Sequence, residues 1–290
     1  MCVEVGHLYC VFLNCRMVWS AQMVARATLG VSPRPRNTFG AAGSNCTANP
    51  SSPQTVASTP PLPAQTIEVG KRYSHSAAFH PGSDSLYVFG GCTSSATTFC
   101  DLWRLDLTNR TWHLMQTTGT YPSPKACAVL VRYKEKLLLF GGWSHPSMYP
   151  LHRWRLFNEL HTYDISEARW TKVLPANDVK PPTMAGHSAT IHKDQMIVYG
   201  GLQKQRSIGH FSSSSDVWAF DLQTGEWSQK DIPEPRPKPR YGQSQLFLDD
   251  DHLLIMGGCG GPSNVFNDVW MLQMTLPHWR WVQCKIRSGH

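Results

Sequence analysis

The stretch Asp84–Cys92, "DSLYVFGGC", is a short apolar run closed by two glycines. It returns as "KLLLFGGW" at 136–143, "QMIVYGGL" at 195–202 and "HLLIMGGC" at 252–259. Upstream of each glycine pair stand "RYSHSAAF", "KACAVLVRY", "AGHSATIH" and "RYGQSQLFL". Downstream come "DLWRLDLTNRTW", "ELHTYDISEARW", "DVWAFDLQTGEW" and "DVWMLQMTLPHW". Self-similarity at one period, here roughly fifty to sixty residues, is the mark of stacked or radial repeats.

The downstream pieces share a grammar. An acid opens each (Asp101, Glu159, Asp216, Asp268), an aliphatic follows, and a ring comes next (Trp103, His161, Trp218, Trp270). Seven residues after Leu105, Tyr163, Phe220 or Leu272 stands a tryptophan: Trp112, Trp170, Trp227 and Trp279. Each unit therefore predicts four short antiparallel strands: one upstream, one ending in the glycines, one opened by the acid and one carrying the tryptophan. The runs "LYVF", "LLLF", "MIVY" and "LLIM" are continuous rather than alternating, so both faces of that strand are expected to be covered. The pairs Gly90–Gly91, Gly141–Gly142, Gly200–Gly201 and Gly257–Gly258 supply positive φ and let a neighbouring backbone approach. The repeated tryptophan fills the gap between sheets. Radial repetition of four-stranded sheets is a β-propeller, so the expected fold is all-β with four visible blades at about 72–115, 124–173, 184–230 and 240–284.

Composition agrees with a globular chain. Of 290 residues 41% are hydrophobic and 16% charged, with 11 tryptophans and 22 glycines. The net charge of +7 favours acidic partners without naming one. Nine cysteines, an odd number without a CxxC pair, point to a reducing compartment, cytoplasm or nucleus, rather than a disulfide framework. No apolar run is long enough for a membrane span, and neither membrane nor nucleic-acid binding is expected. Residues 1–66 read as a disordered, Pro-rich N-terminal segment; residues 67–290 form the repeat domain.

With these motifs in place, the chain resembles the kelch-repeat family over about 72–284. A narrower resemblance rests on "YPSPKA", the long "YPLHRWRLFNELHTYD" loop, "PPTMAGHSATI" and "GGCGGPSNVFNDVW". Together these are similar to the propeller of the F-box only protein 42 family. The resemblance implies a substrate-recognition subunit of an SCF-type ubiquitin ligase. In such proteins an F-box docks on the Skp adaptor and the cullin, and the propeller holds the client. Residues 1–66 show no recognisable F-box, and four blades are few for a kelch ring, so an incomplete propeller is expected. Skp and cullin are partners only if an F-box belongs to the full-length protein.

An up-and-down blade sends its 2–3 loop and the blade-to-blade loop to one face. That face collects Arg72, Lys125, Arg153, Arg155, Lys180, Lys204, Arg206, Arg236, Lys238 and Arg240 against Asp178, Asp231 and Glu234, with Tyr149 and His152 in its longest loop. Tyr149, His152, Arg153, Arg155, Lys204, Arg206, Arg236 and Arg240 are the expected partner-binding residues. Arginines there suit an acidic or phosphorylated client segment, and Tyr and Arg are common interface anchors. In the 143–158 loop, Trp143 and Phe157 are expected to pack down. The other face carries Asp84, Glu135, Asp194 and Asp249–Asp251.

No catalytic set emerges. "GGCGGP" lacks the Lys-Ser/Thr of a phosphate loop. His145, His152 and His161 lack metal-ligand spacing, and no metal or cofactor is expected. Two other readings stand beside the ligase receptor: a kelch scaffold without a ligase link, and a metal-dependent kelch enzyme. The missing F-box keeps the first open, and the second needs a clustered Tyr/His or acid/His set on one face, which the sequence does not show.

Overall fold

The structure is a computed structural model and describes residues 68–145, 155–204, 211–275 and 278–285. Four meanders follow one another. Blade 1 is Ser76–His80, Ser85–Phe89, Leu102–Asp106 and Thr111–Leu114. Blade 2 is Val129–Tyr133, Lys136–Phe140, Leu160–Asp164 and Arg169–Val173. Blade 3 is Ser188–His192, Gln195–Tyr199, Val217–Asp221 and Trp227–Lys230. Blade 4 is Ser244–Phe247, His252–Met256, Val269–Gln273 and Arg280–Cys284. Within each blade consecutive strands pair antiparallel. The first strands of successive blades lie side by side, which places them innermost. Thr118–Gly119, from the segment joining blades 1 and 2, adds a parallel edge to Arg169–Val173. The four-bladed all-β reading holds.

Register explains the tryptophan signature. Leu105, Tyr163, Phe220 and Leu272 face Trp112, Trp170, Trp227 and Trp281 across the last two strands. The expected fourth copy, Trp279, is therefore corrected to Trp281. The last turn of blade 4 holds two more residues than its sisters, so the repeat position slides from spacing seven to nine. Trp279 is only partly buried and lies under Lys230, whose Nζ is 5.2 Å from its ring centre.

Each buried tryptophan meets the last residue of the second strand in the preceding blade. Trp170 meets Phe89 at 5.5 Å, Trp227 meets Phe140 at 4.9 Å and Trp281 meets Tyr199 at 5.3 Å between ring centres. Leu137 and Leu139 of blade 2 share a core with Tyr87 and Phe89 of blade 1, while Leu138 and Phe140 share another with Met196 and Val198 of blade 3. Neighbouring positions of one strand thus serve opposite neighbours, which is why the run is continuous.

The glycine pairs lock blade to blade. The first glycine donates its N–H to the carbonyl of the acid that opens the third strand: Gly90 to Asp101, Gly141 to Glu159, Gly200 to Asp216 and Gly257 to Asp268. The second donates into the next blade: Gly91 to Lys125 O at 2.9 Å, Gly142 to Met184 O at 2.8 Å and Gly201 to Arg240 O at 2.8 Å. Both glycines have positive φ in every copy. A Cβ on Gly90 would lie 2.3 Å from Lys125 O, closer than any real contact. A second chain of bonds runs round the inner rim, from Cys127 N–H to Ser74 O, Gly186 N–H to Cys127 O and Gly242 N–H to Gly186 O.

Several acids of the opposite face act as ties between blades. His80 Nε2 lies 3.0 Å from Glu135, Tyr133 hydroxyl donates to Asp194, and His192 Nε2 lies 2.5 Å from the Asp250 carbonyl. The last residue of a first strand reaches the first hairpin of the following blade. Cys100 is disulfide-bonded, whereas Cys92, Cys127, Cys259 and Cys284 are free thiols.

Candidate functional site

After its glycine pair each chain leaves the blade and pairs with its own blade's entry. Tyr73 bridges Cys92, Ala126 bridges Trp143 and Tyr241 bridges Cys259, while Met184–Ala185 pairs with Leu202–Lys204. Short hairpins build on these pairs: Trp143–Ser144 with Arg155–Leu156, Leu202–Lys204 with Phe211–Ser213, and Cys259–Gly261 with Asn264–Val265. The result is a second tier on the face predicted to bind. Its floor is apolar: Cys92, Ala126, Trp143, Ala185, Leu202, Tyr241 and Cys259 form one buried cluster. Burial pushes the Cys92 thiol up to about 12, so it is no nucleophile near neutral pH.

Three of the basic residues assigned to this face turn inward, and they do so alike. Arg72 Nη1 and Nη2 hold both oxygens of Asp101 at 2.5 and 2.9 Å. Trp103 Nε1 gives Asp101 a further bond of 2.7 Å. Arg240 repeats this on Asp268 at 2.6 and 2.9 Å, with Trp270 Nε1 at 2.8 Å. Each guanidinium also lies over a ring two residues before its acid, Arg72 over Phe99 at 4.2 Å and Arg240 over Phe266 at 4.3 Å. Arg240 was expected to contact a partner; its side chain is fully buried, so that assignment is corrected to an internal clamp. Bidentate bonding to an acid within the same blade takes up the fork that a partner would have needed.

Blade 2 carries the same arrangement in softer chemistry. Lys125 is fully buried, 3.4 Å from Glu159 and 3.5 Å above the Phe157 ring. Burial, partly offset by Glu159, brings its ammonium down to about 8. Burial opposes ionisation of Glu159, but the Lys172 hydrogen bond at 2.7 Å and the Lys125 charge outweigh it and hold its carboxyl below the usual range. His161 stands in the place of Trp103; burial, then the Lys125 charge, push it down to about 4, so it stays neutral. In blade 4 the Arg240 bond outweighs burial and lowers Asp268.

Of the remaining partner-binding candidates, Arg155, Lys204 and Arg236 are exposed on the tier face. Arg155 leans over Phe157 at 5.2 Å, and Arg236 pairs with Glu234 at 2.8 Å. Trp143 and Phe157 are buried beneath. Tyr149, His152, Arg153 and Arg206 lie outside the described residues. Among the described residues no cluster of His, Cys, Asp or Glu has a metal-binding arrangement, and no helix is long and apolar enough to cross a membrane. Sequence reasoning missed the cation–ring–acid clamps. Their signal was present: each ring stands two residues before an acid, and a base opens the same repeat.

Comparison with known proteins places this geometry. The chain is 27% identical over 234 residues to tip elongation aberrant protein 1 of Schizosaccharomyces pombe, covering 79% of this chain and 19% of that protein. It is 27% identical over 231 residues to Adagio protein 3 of Arabidopsis thaliana, covering 76% and 34%. The chain thus spans no more than about a third of these two relatives. The solved structure of YjhT superposes with a TM-score of 0.59 at 19% identity, over 79% of this chain and 68% of that one, a likeness of fold. The family model described as the FBX42 beta-propeller domain matches residues 72–281. The glycine interlocks, the stacked blade tryptophans and this match agree: the chain belongs to the FBX42 beta-propeller family, a kelch-type protein-interaction module.

Proposed function

We propose that this propeller is the client-holding part of an F-box/kelch ubiquitin-ligase receptor, with clients bound on the tier face and ubiquitin transfer left to partner subunits. One observation carries the reading. The blades below the tier repeat one another closely, whereas the hairpins above the glycine pairs differ in length and sequence from blade to blade. A rigid repeated scaffold with variable loops on one face is the arrangement expected of a recognition surface. Arg155 and Lys204 stand on that face with no ion pair among the described residues, and Arg236 stands beside them. Their fork and point-charge donors suit an acidic or phosphorylated client segment. Family membership supports the ligase setting, in which the Skp adaptor and cullin join through an F-box of the full-length protein.

The test is affinity capture from cells with the full-length protein and its Arg155→Glu/Lys204→Glu/Arg236→Glu form, followed by mass spectrometry. The expected result is a set of clients lost from the triple variant while Skp and cullin stay with both. An unchanged client set overturns the face assignment. Clients without Skp or cullin overturn the ligase setting and favour an interaction scaffold.

A further inference from the structure

The three junctions between the described blades are built alike, and each end of the array carries one half of a fourth. At every junction the second glycine of one blade donates its N–H to the entry residue of the next: Gly91 to Lys125 O, Gly142 to Met184 O and Gly201 to Arg240 O. The rim bond runs the other way, from the residue two positions further on to its counterpart in the preceding blade: Cys127 to Ser74, Gly186 to Cys127 and Gly242 to Gly186. The last residue of a second strand lies against the tryptophan of the next blade, as Phe89 does on Trp170. The residue after a third strand, Ile165, Leu222 or Met274, packs into the core shared with the preceding blade.

The open flank of blade 4 carries the leading half of such a junction. The Gly258 N–H and the Gly242 carbonyl have no partner among the described residues. Gly258 nonetheless holds φ at 89°, beside 90°, 91° and 99° in its three sisters, so its N–H is set for the same kind of acceptor. Leu254 and Met256 are half-exposed. Leu248 is exposed at the position from which His80, Tyr133 and His192 reach the following blade. The open flank of blade 1 carries the trailing half. The Arg72 carbonyl and the Ser74 N–H have no partner among the described residues. Ser74 keeps the positive φ of its rim sisters, 56° beside 50° in Cys127. Leu107 and Trp112, the counterparts of Ile165 and Trp170, are exposed. Apolar residues gathered on one exposed face mark a contact site.

We infer that these two flanks dock on each other between copies of this chain, blade 4 of one copy against blade 1 of a second, head to tail. Gly258 N–H then meets the Arg72 carbonyl of the second copy, and the Gly242 carbonyl receives the Ser74 N–H of the second copy. Met256 takes over Trp112 the place that Phe89, Phe140 and Tyr199 hold over theirs, and an unbranched thioether adapts readily to a ring. A second copy is the fitting occupant because it presents both halves in the right order, and the three internal junctions show that such halves fit. The contact is heterologous: it closes on itself if four blades turn the chain through half a circle, giving eight blades, and otherwise continues as an open row. The tier face takes no part and stays free for clients.

The test is the mass of the purified 290-residue chain by light scattering after size exclusion, at micromolar concentration. The expected result is a mass of two chains or more that falls to one on dilution. Trp112→Glu and Met256→Glu should each be monomeric, because each puts a carboxylate into every junction. Mixed in equal amounts they should form a pair and stop there. The Met256 flank of the first variant and the Trp112 flank of the second make one unaltered junction, while the other junction brings two glutamates together. Leu107→Glu, in the exposed turn after the third strand, replaces Trp112→Glu if circular dichroism shows that the latter does not fold. A wild-type chain that stays monomeric, single variants that remain assembled, or folded variants that stay apart when mixed each overturn the docking. The Arg155→Glu/Lys204→Glu/Arg236→Glu form should assemble like the unaltered chain, so this inference and the client reading fail separately; its loss of assembly would move the contact to the tier face and overturn the flank assignment.

Discussion

Trp112 and Trp227 hold the same place in the same repeat, and only one is inside the protein. Trp227 is 2% exposed because Phe140 of blade 2 covers it; Trp112 is 39% exposed because no described blade precedes it. The far end shows the mirror image. In blades 2 and 3 the last four residues of the second strand are buried, whereas in blade 4 Leu254 and Met256 are half-exposed between Leu253 and Ile255. The local sequence is equally apolar in all of these strands. Burial is a property of the pair of blades, and so is the energy that comes from it.

Mutations can break or sharpen this comparison. The largest contrast is expected between covered and uncovered tryptophans. Trp170→Ala and Trp227→Ala should each cost about 3–5 kcal/mol in chemical denaturation, the usual range for a buried aromatic truncated to alanine. In the single chain, Trp112→Ala should cost less, about 1–3 kcal/mol, since some two fifths of its surface stays in water. Equal costs would mean that Trp112 is covered in solution.

The clamps should rank next, by how many partners each acid keeps. Arg240→Met leaves Asp268 half-buried without a cation and should cost about 3 kcal/mol, at the low end for breaking a buried pair. Lys125→Met imitates the residue at position 184 and leaves Lys172 on Glu159, so its cost at neutral pH should be under about 1 kcal/mol. A reversed order would show that the lysine, not the arginine, is the stronger tie.

Glycine substitutions test the interlock itself. Gly90→Ala and Gly257→Ala share the strain of positive φ, about 1–2 kcal/mol. Gly90→Ala must also displace the Lys125 carbonyl, while a Cβ on Gly257 meets nothing nearer than Phe266 O at 3.3 Å. The difference between the two melting-temperature losses isolates the blade-to-blade contact, and equal losses would dismiss it.

The smallest effects are in pH. Lys125 is brought down to about 8 from an ordinary 10.5, so over that interval the unfolded chain binds the proton and the folded chain has released it. Stability relative to Lys125→Met should therefore rise as pH climbs from about 8 toward 10.5. Asp268 works on the acid side. Its depressed carboxyl contributes stability above the ordinary aspartate range that is lost as pH falls through its folded value, and Arg240→Met should remove that contribution. Denaturation curves across both intervals check both signs.

The repeat was legible because its causes are local. Glycine pairs, apolar runs and an acid before a ring can be counted along the chain. Two things escaped. The shift from Trp279 to Trp281 depended on the size of one turn, which the pattern of three sisters cannot fix in the fourth. The fates of Arg72, Lys125 and Arg240 escaped because charge counted by loop says which face a residue starts from and nothing about where a long side chain ends. Arg155, Lys204 and Arg236 start from the same loops and remain outside.

The sequence by itself determined the number of repeats, the strands within each and the glycine turns, since these follow from hydrophobic period and the φ values that glycine permits. Only the tertiary structure decided which tryptophans are covered and which cations are consumed by acids inside the fold. Those outcomes depend on what lies across from a residue in the neighbouring strand or blade, and residues that face each other there are tens of positions apart in the chain.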